Sequence, residues 1–577
     1  MRFLSGMNTK KIELLAPAGS MANLKAAVSK GADAVYLGMK RFSARDYATN
    51  FNEQYLKEAI KACKSNNVKV YLAMNTLVKN NEIQDFFNQL SLAYSAGIDA
   101  VIIQEISFLD IIKKYYPDLK VHISTQAGVM NSAHANLLSK ADRITLAREL
   151  TKEEIKNIRN NFSEELEIFC HGALCVSVSG SCLFSSLLGG RSGNRGKCAQ
   201  PCRKRYNDQY YLSTKELCLV KQIPAIIQLG VDAVKIEGRM RTPYYTATVT
   251  EVYKKAIDSF YNGDFKVSKE MLASLEGAFS REFTAGWFNS QDVFNRDKST
   301  GEIKSKMREF YEVQKRSFDI KRNRVNVQLP EIKENENGVK QLLVRVYNKK
   351  DAFEAASNGA DIIYFDLFDE HFVDLKDSLH CKLFGVTPRI MVGNDTPNIT
   401  KTLREKKPDG ILAGNLGILN YNLKFPIHLD YNINCFNGID LGYFLGMNCL
   451  PIISPELSIK ELRQFRNKNF IAMVHGKIRL MTLRHKLPGG WLKDEKGGLF
   501  RVNSIMNGSE ILNGKELGLL SKSSQLLEHG VASFFVDTER DVGGVVRLYR
   551  KILDGKEVND SGIKRNYILG WSYRGVA

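Results

Sequence analysis

Six of the ten cysteines fall between Cys170 and Cys218, in a stretch reading FCHGALCVSVSGSCLFSSLLGGRSGNRGKCAQPCRKRY and, a little further on, STKELC. Gly, Ser and Arg fill the space between thiols where a packed core would call for Leu, Ile and Val. That is the makeup of backbone wrapped round a bound ion or cluster. Cys175 and Cys182 are separated by six residues and Cys198 and Cys202 by three, with a Gly-rich arm between the pairs. Four soft thiolates suit an iron-sulfur cluster or zinc, and thiols with no metal are the plain alternative. Structural zinc usually sits on two tight C-x2-C knuckles, and these intervals are wider and irregular. Cys218, sixteen residues beyond Cys202, is a reserve ligand, and Cys170 ends an apolar run, LEIFC, as a core residue would.

The same stretch is a basic patch. From Ile168 to Asn207 there is no acidic residue, while Arg191, Arg195, Lys197, Arg203, Lys204 and Arg205 gather there. Over the whole chain 82 Lys and Arg face 63 Asp and Glu, a net charge of +19. Such an excess favours an anionic partner, of which nucleic acid is the commonest, although spread over a long chain it also serves solubility.

The elements that must position this loop alternate strand with helix. IELLAP, DAVYLG, KVYLAMN, DAVIIQ, KVHIST, RITLA, LEIFCHG and DAVKIEG make eight candidate strands, each a near-continuous apolar run, with amphipathic helical stretches between them. Eight such units by about residue 240 predict a TIM-type (β/α)8 barrel, in which chemistry collects at the C-terminal strand ends. The polar residues expected there are Glu105, Ser124, Thr125, Gln126, Arg148, Glu149, His171, Glu237 and Arg239, with Lys235 nearer the barrel interior. Singly each reads as a helix cap or loop side chain. Together, on the face that carries the cysteine loop, they predict an active site, with His171 and Glu237 for proton transfer and Arg148, Glu149, Lys235, Arg239 and Gln126 for substrate.

A second series then repeats the first. SNGADIIYFD echoes SKGADAVYLG, IHLDYN echoes VHIST, FIAMVHG echoes EIFCHG, GKELGLL echoes TKELCLV, and HGVASFFVDTER echoes LGVDAVKIEGR. Eight further candidate strands are LLVRV, DIIYFD, KLFGVT, GILAG, IHLDYN, PIISP, FIAMVHG and SFFVD. The fold class expected is therefore α/β, two tandem TIM-type barrels from an internal duplication. Residues 1–262 form the first barrel with its cysteine loop at 170–218, 263–340 a polar connector around a short FTAGWF element, and 341–577 a degenerate second barrel with a C-terminal tail. The thiols are lost from the second copy, where Arg479 stands at the place of Cys175 and Gly518 at that of Cys218.

At 577 residues, 44% hydrophobic and 25% charged, the composition is that of a multidomain globular chain. No run of eighteen apolar residues occurs and MRFLSGMNTKK has no secretory h-region, so a cytoplasmic protein with reduced thiols and no membrane partner is expected. Neither HExxH nor GxSxG occurs, which removes the commonest hydrolytic motifs.

ELLAPAGS, GADAVYLG, HGALCVSVSGSC, GRSGNRGKCAQPCR and KIEGRMRTPYY closely resemble the peptidase U32 family, the collagenase-like proteins, over the first barrel to about residue 260, and FSREFTAGWF resembles a phrase that follows the barrel in many members. That family includes proteins that hydroxylate a pyrimidine of transfer or ribosomal RNA and a pair that hydroxylates the ubiquinone ring without dioxygen. The resemblance implies a 4Fe-4S cluster on Cys175, Cys182, Cys198 and Cys202, and oxygen-independent hydroxylation of an RNA base with prephenate as oxygen donor. An electron-transfer partner belongs to the same expectation. Arg191, Arg195, Arg203, Lys204 and Arg205 would contact RNA phosphate. A U32-type peptidase, a quinone or other small-molecule hydroxylase, and a non-enzymatic zinc RNA-binding module are the alternatives.

Overall fold

The computed structural model describes residues 10–279, 281–296, 311–314, 316, 322–393, 395–558 and 567–577. Two compact units emerge: 1–77, 83–180 and 193–329 form the first, and 78–82, 181–192 and 330–577 the second. Of the span read as a connector, 263–329 thus groups with the first unit and 330–340 with the second. The arm between the cysteine pairs, 181–192, groups with the second unit.

In the first unit the strands are β1 (Glu13–Ala18), β2 (Ala34–Leu37), β3 (Lys69–Met74), β4 (Ala100–Ile103), β5 (Lys120–Ile123), β6 (Arg143–Thr145), β7 (Glu165–Ala173), β8 (Glu216–Cys218), β9 (Ala233–Ile236) and β10 (Phe283–Thr284). β1 to β7 pair in parallel in chain order, and β9 pairs in parallel with both β7 and β1, which closes an eight-stranded barrel. β8 adds antiparallel to the end of β7, and β10 adds to β8.

A repeated contact fixes strand order. The carboxylate of the Asp that precedes every second strand accepts the backbone N–H of the strand before it: Asp33 from Leu14 at 2.9 Å, Asp99 from Val70 at 2.8 Å, Asp142 from Val121 at 2.7 Å and Asp232 from Leu166 at 2.9 Å. Three of these four staples, Asp33, Asp99 and Asp232, stand in Gly-x-Asp phrases, and Asp142 follows Lys-Ala.

The barrel core is apolar around Leu15, Tyr36, Tyr71 and Ile102. It also holds a charge network that the apolar strand runs did not foretell: Arg143 bonds Glu13 at 2.7 Å and Glu167 at 3.3 Å, and Lys235 bonds Glu167 at 2.8 Å. Arg143 carries Glu13 past the burial that would raise its carboxyl, down to about 2.

The second unit repeats the plan with β11 (Gln341–Arg345), β12 (Ile362–Asp366), β13 (Lys382–Val386), β14 (Gly410–Ala413), β15 (Ile427–Leu429), β16 (Cys449–Pro451), β17 (Ile471–Gly476) and β23 (Ser533–Asp537). Seven of these fall on the strands expected of the second barrel, and β16 begins two residues before the expected PIISP, sharing Pro451 with it. They pair in parallel, β23 lies between β11 and β17, and a single bridge, Ile452 to Ile471, links the β16 end to β17. Two Asp staples survive, Asp361 to Leu342 and Asp409 to Leu383. Between β17 and β23 stand β18 (Arg479–Leu483), β19 (Gly490–Lys493), β20 (Leu499–Ile505), β21 (Gly508–Asn513) and β22 (Leu517–Gly518). β18 to β21 form a separate antiparallel sheet in the order β18-β21-β20-β19. Among the described residues no helix is long and apolar enough to cross a membrane.

Candidate active site

The C-terminal ends of the first barrel's strands bring together Glu237 from beyond β9, Arg148 from beyond β6 and Arg45 from the loop after β2. Arg45 Nε lies 3.1 Å from Glu237 Oε1, and Arg148 Nη2 lies 3.4 Å from Glu237 Oε2. Arg148 also donates to Ala173 O at 2.8 Å, and its guanidinium lies 3.8 Å from the Phe169 ring centroid. Arg239 is buried beside the group, donates to Ser43 Oγ at 2.6 Å and faces the Tyr36 ring at 5.8 Å. Gly38 makes room for it, since a Cβ there would stand 2.4 Å from Arg239 Nη1.

Burial would raise the Glu237 carboxyl, but Arg45, Arg148 and Arg239 together hold it at about 2. Burial pushes Arg239 down to about 10. Three guanidiniums thus share one carboxylate in a confined space. Lys235, expected to serve the substrate, is instead committed to Glu167 and lies 4.7 Å from the Tyr36 ring centroid. Glu149 is buried next to Arg148 in the chain. Gln126 sits half-buried in the turn after β5, and its carbonyl is approached so closely by Gly180 that a Cβ there would stand 2.1 Å away.

His171 does not join this group. It is enclosed by Tyr245, Tyr253 and Phe283, at ring distances of 6.0, 5.5 and 5.4 Å, and its Nδ1 is 3.4 Å from Tyr253 Oη. Burial, then Arg241, pushes it down to about 3, so the ring is neutral. The cause is a register shift in β7 between Phe169 and His171. Phe169 meets Arg148, whereas His171 meets Tyr245 and Tyr253 of the helix Pro243–Tyr261.

All four cysteines of the predicted cluster are free thiols; Cys175 and Cys198 are exposed, Cys182 and Cys202 half-buried. Cys175, Cys198 and Cys202 belong to the first unit and Cys182 to the second. Within the first unit the three thiols act on one another. Burial, then Cys175 and Cys198, pushes Cys202 up to about 12. Arg45 feels the charges of both Glu237 and Cys198, so the thiol loop adjoins the arginine group. The thiols are soft donors, which suits a soft metal ion or cluster. Among the described residues, however, no group of three or more His, Cys, Asp or Glu is drawn to metal-holding distances. The fit lies in the chemistry of the donors rather than in a preformed cage.

Of the basic residues assigned to RNA, Arg203 is tied into the loop by Ser213, Thr214 and Leu174, and Arg195 donates to Leu77 O at 2.9 Å. Lys204, Arg205 and Arg191 are exposed, Arg191 on the arm of the second unit. Arg45, Ser43 and Tyr36 escaped the sequence reading, because Arg45 lies deep in the RFSARDY loop rather than at a strand end. The signal available was a cationic loop directly after β2 and the Gly38 that follows it.

Fold and site together define a two-barrel α/β protein with a thiol loop and an arginine-rich mouth on its first barrel. The model of peptidase family U32 matches residues 19–298. An uncharacterized protease of Methanocaldococcus jannaschii is 39% identical over 299 residues, 48% of this chain and 73% of that one. The tRNA hydroxylation protein P1 of Bacillus subtilis is 33% identical over 301 residues, 48% of this chain and 71% of its own. The 23S rRNA 5-hydroxycytidine C2501 synthase of Escherichia coli is 32% identical over 306 residues, 49% of this chain and 46% of its own. The chain belongs to the peptidase U32 family.

Proposed function

We propose that this chain is an RNA-modifying hydroxylase acting on a transfer or ribosomal RNA base at the mouth of the first barrel, with a 4Fe-4S cluster on Cys175, Cys182, Cys198 and Cys202 and a small dicarboxylate such as prephenate as oxygen donor. The observation that carries the reading is the pairing of Arg45 and Arg148 with the single carboxylate of Glu237, with the buried Arg239 acting on the same carboxylate, beside the thiol loop. Confined guanidiniums in excess of their acid call for an anion, and a dicarboxylate supplies one with the planar geometry that arginine pairs with. The relatives named for tRNA hydroxylation and for 5-hydroxycytidine synthesis support RNA and hydroxylation together. Bound to the soft thiols, the cluster would supply electron transfer.

The chain's own residues have distinct parts. The three arginines hold and orient the anion. Glu237 is ionised at neutral pH and poised to take a proton, but its arginines make it a weak base. An anion that draws on the same guanidiniums loosens their hold and raises its basicity, which couples donor binding to removal of the ring proton.

Deleting the gene and comparing the nucleosides of total transfer and ribosomal RNA by mass spectrometry tests the proposal. The expected result is loss of one hydroxylated pyrimidine, restored by the wild-type gene. Unchanged nucleosides with altered quinones or altered peptides would overturn it in favour of a small-molecule hydroxylase or a peptidase, the latter being the activity for which the Methanocaldococcus relative is named.

A further inference from the structure

The second unit carries an open cleft of about 1560 Å³, bordered by the arm Ser186–Gly190, the β19–β20 turn and the segment Tyr567–Ala577. Pockets for small ligands run to roughly 300–1,000 Å³, so this one suits a length of polymer. Its walls are apolar side chains left in solvent: Tyr573 is 59% exposed, Leu499 49% and Leu188 42%. An apolar face of this kind rimmed by charge marks an interaction site.

The charge is mainly positive. Lys515 and Arg574 line the cleft and are exposed, and among the described residues neither forms an ion pair. Lys522 lies 4.8 Å from the Tyr573 ring centroid, likewise without an acidic partner among the described residues. The acid in the lining, Asp494, is occupied by its own turn, accepting from Lys496 N at 2.9 Å and Gly498 N at 2.6 Å. Backbone is laid open as well: a Cβ at Gly189, Gly190 or Gly497 would meet nothing within 4 Å, so a ligand backbone can approach closely there.

An exposed aromatic ring backed by unpaired cations, beside open Gly backbone, is the constellation that stacks a base and holds its phosphates. We propose that this cleft is a docking site for single-stranded RNA, with Tyr573 as the stacking platform and Lys515, Lys522 and Arg574 on the phosphates. The inference rests on the reading that the substrate is RNA and adds to it a second point of contact, on the half of the chain that the family model does not match. A protein segment would use the apolar walls but would leave three cations facing no complement, unless it were acidic.

The test uses the full chain and a fluorescein-labelled single-stranded oligoribonucleotide of about twelve mixed nucleotides, followed by fluorescence anisotropy. Tyr573→Ala should weaken binding by about ten-fold, as expected for one lost stacking contact, and Tyr573→Phe should restore it. Lys515→Glu combined with Arg574→Glu should weaken binding further and flatten the logarithmic salt dependence by about one unit or more. Tyr55→Ala, which removes an exposed ring of the first unit, should change nothing. Crosslinking with 4-thiouridine in the oligonucleotide should mark peptides within 491–500 or 567–577. Wild-type affinity in both Tyr573→Ala and the double variant, or crosslinks confined to 1–329, would overturn the docking site. Binding of a polyglutamate peptide as tight as that of the RNA would replace it by an acidic protein partner. The nucleoside comparison above is independent of all these readings, so the docking site and the hydroxylase reading can fail separately.

Discussion

The two barrels share a frame and differ in the charge at their mouths. In the first, Arg45, Arg148 and Arg239 share the carboxylate of Glu237, and even with Glu149 counted the arginines outnumber the acids. In the second, Arg479 bonds Asp537 and bonds Glu510 at 2.8 Å, while Arg389 bonds Asp430 at 2.8 Å, so that three acids meet two arginines. Asp537 aligns with Glu237, and Arg479 stands where the first copy has Cys175. One mouth is left with positive charge that an anion can satisfy; the other satisfies itself. A barrel that has lost its thiols has thereby exchanged an open, costly constellation for a closed one, and buried pairs of this kind are retained because breaking either side is expensive.

What the barrels have in common is as instructive. His475 repeats His171 in detail: both follow a register shift in their strand, both place Nδ1 3.4 Å from a tyrosine hydroxyl, Tyr549 or Tyr253, and in both that hydroxyl also donates to the carbonyl of the preceding residue. The next residue, Gly172 or Gly476, has φ of +104° or +118°, and a Cβ there would collide with the carbonyl of Glu237 or Asp537. A histidine with the same contacts in a barrel that lacks the paired loop cysteines acts as a fastener between strand and helix.

The largest effect expected from the contrast concerns iron. Cys198→Ala should reduce the iron and sulfide of anaerobically prepared protein to a trace, whereas Arg479→Gln should leave both unchanged. Full iron in Cys198→Ala, or zinc in its place in the wild type, would remove the cluster from the first barrel.

Next comes stability. Asp537→Asn leaves Arg479 with Glu510 as its one acid and should cost about 1.5–3 kcal/mol in denaturant unfolding, the size of a buried hydrogen bond to a charged group. A cost under about 1 kcal/mol would mean that the second mouth is not held together by its ion pairs.

The smallest effect belongs to the shared histidine. His171→Gln should keep most turnover and lose about 1–2 kcal/mol of stability, the size of a buried hydrogen bond with some packing. Because its folded pKa is depressed to about 3, His171 contributes fully above about pH 6.5, and that contribution fades as pH falls from there toward 3, since the unfolded chain takes up the proton first. Loss of turnover in His171→Gln with stability intact would return it to proton transfer.

Much of this was legible in the sequence because it repeats. The parallel strands fall on apolar runs, and four of the six Asp staples, Asp33, Asp99, Asp232 and Asp361, leave a trace as GAD, GID and GVD, whereas Asp142 and Asp409 stand in KAD and KPD. The antiparallel sheet is not legible as a continuous apolar run, because β20 alternates; its turn falls at Met506-Asn507, just before Gly508. Arg45 was missed because its place is set by a loop folding back over the mouth, where Gly196 approaches Ser43 so closely that a Cβ would stand 2.3 Å from its carbonyl. For Lys235 and His171, strand position tells that each is buried, but not that Glu167 and Tyr253 lie against them. The grouping of 181–192 with the second unit depends on pairing with β18, as in the bond from Leu183 N to Leu480 O at 2.7 Å, which no local pattern announces.

The contrast between the mouths is tested most directly by complementing the deletion strain with Arg148→Gln or Arg479→Gln and quantifying the hydroxylated nucleoside at matched levels of folded protein. Arg148→Gln should fail to restore the modification and Arg479→Gln should restore it. Full restoration by Arg148→Gln, or its loss only in Arg479→Gln, would contradict the assignment of the chemistry to the first barrel.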